Sequence, residues 1–191
     1  MESLTASQAR DHIEMVDKIL TRSERSLCVG GEFFVAWGIF GALVTLVIQL
    51  VVSGRVPSSA IAVLPVALIA AVLFSALRGR QLGRRADGLS LIQREFFVVL
   101  WISLGVAAFS DFAGYQIFTT WASSAIWNVA AAIVLFFIAS HGNRRAMVCG
   151  IIMLGSIAAA NFVPHYTGYI LAAGMLFGYA GFGLVSLIAR D

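Results

Sequence analysis

Six polar side chains lie in or beside long apolar stretches and are the residues with chemistry to offer: Glu32, Glu95, Asp111, Asn128, Asn161 and His165. An ionisable group inside a membrane span is costly to keep and points to function by default. Asp111 is the sharpest case. It stands sixteen residues beyond Glu95, about 24 Å along a helix. That depth is near the far hydrocarbon boundary. Phe109, Ser110 and Phe112 flank it, and no basic residue follows in the short loop beyond. If buried, it needs a donor, and Tyr115, Asn128, Gln49, Asn161 and His165 are the candidates at similar depth. Such a group could bind a proton or a cationic solute. The plainer reading is a helix end wetted by the headgroup region.

His165 could complete a proton-sensitive pair with Asp111, or serve as a turn residue beside Pro164. Glu32 and Glu95 open their apolar stretches, where a carboxylate suits the positive end of the helix dipole. Arg25 or Arg94 is near enough in sequence to neutralise them. No H-E-x-x-H array, Gly-x-Ser-x-Gly elbow or Gly-rich phosphate loop is present. The expectation is therefore a protein without catalytic residues, bound metal or cofactor.

The elements that position these residues are six apolar stretches, 33–53, 58–77, 96–115, 121–140, 146–163 and 167–188. Each approaches the roughly 20 residues a spanning helix needs. The chain is 60 % hydrophobic and 12 % charged, with mean hydropathy +0.90. Soluble domains hold about 25 % charged residues. Backbone in lipid must satisfy itself, which leaves helices or a closed barrel. The stretches lack the alternation of barrel strands. The expected fold is all-α, a polytopic membrane protein with six transmembrane helices as antiparallel neighbours.

Twelve of the thirteen Lys and Arg residues fall on one side of that arrangement, and Arg55 alone falls on the other. The positive-inside rule then puts both termini in the cytoplasm. The net charge of +3 is explained by anionic headgroups, so no nucleic-acid partner is expected. Cys28 and Cys149 lie toward the same reducing side, which argues against a disulfide. No cleavable signal peptide is expected at the start of the chain.

Residues 1–29 read as a cytoplasmic amphipathic arm and 30–191 as the transmembrane domain. Ile13, Val16, Ile19, Leu20 and Leu27 recur at helical steps along the arm. It could lie on the membrane, pack on the loops or contact a partner or second copy. Gly30-Gly31 should let the chain turn into the membrane. Ser58 or Ser59 is a candidate cap for the second span, and Pro65 should remove one hydrogen bond inside it. The basic residues Arg78, Arg80, Arg84 and Arg85 could hold lipid headgroups or a partner, or act as topology signal alone. In the sixth span Gly174, Gly178 and Gly181 mark a small-residue face for close helix packing. Its partner could be the same chain or a second copy. Trp121, Trp127, Tyr115, Tyr166 and Tyr169 suit an interfacial aromatic belt.

Ser23-Glu24-Arg25-Ser26, after a charged helix and before the Gly-rich start of the first span, resembles a group of small bacterial integral membrane proteins. Those chains carry a Glu-Arg-Ser element at this point and are sometimes accompanied by winged-helix regulators. The similarity covers about residues 10–45 and carries no functional residue with it. It implies a bacterial inner-membrane location.

Two functions are expected to compete. One is a non-enzymatic sensory, regulatory or accessory subunit that meets a partner at the cytoplasmic face. The other is a small proton- or cation-coupled transporter or channel-like protein using Asp111, with Asn128 or Asn161 along a polar path.

Overall fold

The computed structural model describes residues 30–83, 91–114 and 119–188. The amphipathic arm, the Glu-Arg-Ser element, Arg84, Arg85 and Tyr115 lie outside them. Among the described residues all regular structure is helical: α1 Gly31–Val52, α2 Val63–Gly83, α3 Leu91–Ala113, α4 Thr120–Ser140, α5 Arg144–Phe162, α6 Thr167–Gly174 and α7 Gly181–Ile188. A π-helical segment, Met175–Ala180, joins α6 to α7 into one sixth span. The described residues thus contain six helices long and apolar enough to cross a membrane.

The ends follow local chemistry. Thr119 caps α4 by accepting from the Ala122 amide at 3.3 Å. Asn143 caps α5, its Oδ1 accepting from the amides of Arg145 and Ala146 at 3.1 and 3.2 Å. Both satisfy amides that a helix start leaves open. Gly142 turns between these helices with φ +96° and Gly54 between α1 and α2 with φ +69°, values that glycine adopts without steric cost.

The second span corrects the expectation for its start. It opens with a 3-10 turn, Ser58–Ala62, whose N-cap Pro57 makes no side-chain cap bond, so neither Ser58 nor Ser59 is the cap. The α-helix begins only at Val63. Pro65 therefore sits in the first α-turn, where an amide has no α-helical acceptor in any case.

The sixth span holds the centre. Of its apolar window 56 % is buried, against 6 % for the second span. It runs antiparallel to α1 in a clear register. Gly31 meets Gly183, Gly38 meets Ala180, Gly41 meets Met175 and Gln49 meets Gly168. On its other side Gly174 and Gly178 press on Ser156 and Met153 of α5. Lipid supplies little drive for apolar helices to associate, so close approach of small residues does the holding. Phe34 then seals one end, 5.0 Å from Phe182 edge-on, 4.9 Å from Tyr179 and 6.1 Å from Phe96, ring centre to ring centre.

Not every sequential pair of spans is a packed pair. α3 packs on α4, α4 on α5, α5 on the sixth span, and α2 on α1, whereas α2 and α3 share no extended packing. Each can face lipid at no loss, because lipid tails are as apolar as a neighbouring helix. The alternating directions put Arg78, Arg80, Arg94, Arg144 and Arg145 at one end of the bundle and Arg55 at the other.

Candidate functional site

The sequence singled out polar residues, and the fold distributes them over three places. At the basic end, Glu32 in the first turn of α1 takes both prongs of the Arg78 guanidinium. Nη2 donates to Oε1 at 2.5 Å and Nε donates to Oε2. Arg78 also donates to Gln81 at 2.8 Å. Among the described residues Glu32 thus pairs with Arg78, forty-six residues away, while Arg25, the neighbour suggested by sequence proximity, lies outside them. The paired side chains are 25 % and 37 % exposed, so water screens them only in part. Trp37 Nε1 donates to Ser75 Oγ at 3.0 Å, about one turn further in. Two polar links therefore fasten α2 to α1.

Glu95 is exposed and belongs to a different feature. With Arg94, Val98, Val99 and Phe137 it lines an open cleft of about 480 Å³ at the same end. Arg80 is exposed as well, which leaves its guanidinium accessible at that end.

At the opposite end Asp111 is half-buried, two residues before α3 finishes. Its Oδ2 accepts from the indole Nε1 of Trp127 at 2.6 Å. Of the donors expected from sequence, Asn128, Gln49, Asn161 and His165 do not take this role, and Tyr115 lies outside the described residues. Trp127 was readable only as an interfacial aromatic. An indole offers a single N–H, and nothing in its sequence position announces a carboxylate across the helix pair. His165 is exposed, and no ion pair joins it to Asp111 among the described residues. It enters through its main-chain carbonyl, which accepts from Gln49 Nε2 at 3.4 Å. Gln49 Oε1 accepts from the Gly168 amide at 2.9 Å. A buried amide of α1 thereby caps the start of the sixth span, a role sequence reasoning missed. Arg55 donates to the Tyr169 hydroxyl at 3.2 Å, with its guanidinium 6.0 Å from that ring's centre.

The third place is the interior. Asn128 is 1 % exposed. Its Nδ2 donates to the Ser124 carbonyl at 3.0 Å, while Oδ1 has no protein partner. Asn161 does not join it. That side chain is exposed and donates to the Ile157 carbonyl one turn back at 3.0 Å. Of the two asparagines expected as alternatives beside Asp111, Asn128 is thus interior and Asn161 exposed.

Gly174 and Gly178 lie in the α5 contact, as the small-residue pattern implied. Gly181 does not. A methyl there would meet only the Leu176 carbonyl of its own helix, at 3.7 Å. Gly183 makes the next close approach instead, against Gly31 and Val35. The π segment holds i to i+5 bonds and so carries more residues per turn, which rotates the following positions off the α-period.

Among the described residues no group of three His, Cys, Asp or Glu side chains is placed to hold a metal ion. No family model, curated protein or solved structure matches this chain.

Proposed function

We propose that this chain is a non-enzymatic protein of a bacterial inner membrane, a sensory, regulatory or accessory subunit. Its termini face the cytoplasm, and its partner meets the basic end. The observation that carries this reading is the distribution of charge. Arg80, Arg94, Arg144 and Arg145 are exposed at that end, and the single described cation opposite, Arg55, is engaged by Tyr169. The arm of residues 1–29 and the loop bearing Arg84 and Arg85 attach to the same end in sequence.

The transport reading has less support. Asp111 is held by Trp127, and Asn161 faces outward.

Photocrosslinking in intact cells tests the proposal. A crosslinker at position 80 or 145 should give discrete protein adducts, and one at position 55 or 166 should give few. Equal yields at both ends, or a bias to positions 55 and 166, would overturn it. Orientation is checked separately, in a chain whose Cys28 and Cys149 are replaced by Ala. Gly54→Cys should react with an impermeant maleimide on intact spheroplasts, and Gly79→Cys only after lysis.

A further inference from the structure

The unpartnered carbonyl of Asn128 is the one polar atom of a buried side chain that the protein leaves without a hydrogen bond among the described residues. In a membrane interior such a group costs several kcal/mol unless something supplies a donor. Its surroundings show what fits. A methyl on Gly174 would lie 3.4 Å from Asn128 Oδ1 and would collide with the Ser156 side chain. Asn128 of α4 and Ser156 of α5 therefore both border the bare Cα of Gly174. The two side chains do not bond each other. Ser156 Oγ gives its proton to the Met153 carbonyl at 2.6 Å, which leaves its lone pairs free to accept.

Two acceptors around one glycine call for a molecule with two donors. We propose that one water molecule is bound here, donating to Asn128 Oδ1 and to Ser156 Oγ, and that it joins α4, α5 and the sixth span. Two to four polar partners are what an internal water requires. A metal cation would want a fuller oxygen shell than these two side chains provide. The position gives the water a task. Gly174 is the last α residue before the π segment, so the bridge pins the sixth span where its helical pitch changes.

The test uses the full chain, labelled at asparagine, in lipid vesicles. Water-edited solid-state NMR should show magnetisation passing from water to the Asn128 side chain, although that residue is out of reach of bulk solvent. Asn128→Leu supplies the second measurement. With a water-satisfied carbonyl it should lower the melting temperature by about 2–4 °C or more. A carbonyl left truly bare would be relieved by leucine, and the melting temperature would rise. No transfer to Asn128 in the wild-type chain, or a rise with leucine, would overturn the proposal. A melting temperature that climbs in sodium chloride relative to choline chloride would also overturn it, in favour of a cation.

Discussion

The second and sixth spans are both long and apolar, yet they are held in opposite ways. The sixth is clamped on two sides through glycines, with backbone near backbone. Among the described helices the second packs extensively on α1 alone, with two polar links, Trp37–Ser75 and Glu32–Arg78. Apolarity does not separate them, since the second span has the higher hydropathy, 2.7 against 1.8. What separates them is where their glycines lie: Gly168, Gly174, Gly178 and Gly183 of the sixth span sit in close contacts with α1 and α5, whereas a Cβ added at Gly79 of the second would meet nothing within 4 Å. In lipid an apolar side chain gains little by leaving hydrocarbon, so contact area at short range decides which helix becomes the centre.

The contrast breaks most sharply at glycine. Gly38→Leu would drive a side chain into the backbone of Ala180. It should cost about 3 kcal/mol or more, read as a lowered melting temperature and a lower folded yield in detergent. Gly79→Leu is the counterpart in the second span, where an added Cβ meets nothing within 4 Å. Leucine's better helix propensity should leave it neutral or up to about 1 kcal/mol more stable. Equal losses at both sites would remove the distinction between the spans.

Gln49→Leu comes next. It strips the Gly168 amide of its buried acceptor and should cost about 1–3 kcal/mol. Hydrogen exchange should quicken at Gly168 and its neighbours in α6 while α2 is unchanged.

Arg78→Gln tests the peripheral span. Loss of the Glu32 link should broaden the distance distribution between spin labels on α1 and α2, and leave the α1–α7 distance as it was. A global loss of structure would mean that the second span is integral to the core.

The smallest effect is expected at Asp111→Asn. An amide oxygen still accepts from Trp127, so stability should fall by less than about 1 kcal/mol, with a shift in tryptophan emission. Proton or cation flux in reconstituted vesicles should not change. A fall in flux would restore Asp111 as a transport residue.

The partners of these polar groups show where sequence reading stopped. Asp111 and Trp127 are sixteen residues apart, Glu32 and Arg78 forty-six, and Gln49 and Gly168 one hundred and nineteen. Each pair was visible only as two single residues. Gly174 and Gly178 were legible because their spacing follows an α-helix. Gly181 was misplaced because the π segment that shifts it leaves no mark in composition.

The sequence by itself determined the helical class, the number of apolar spans and the gathering of basic residues at one end of them. Those follow from local quantities, namely the length of apolar runs and the need of backbone in lipid to bond within its own helix. Only the tertiary structure decided that the sixth span is central, that α2 and α3 share no extended packing among the described residues, and that Asn128 and Ser156 both border Gly174. Such outcomes rest on contacts of a few ångströms between residues far apart in the chain. Lipid and a neighbouring helix are nearly equivalent surroundings for an apolar side chain, so hydropathy cannot rank those contacts, and fit between surfaces does.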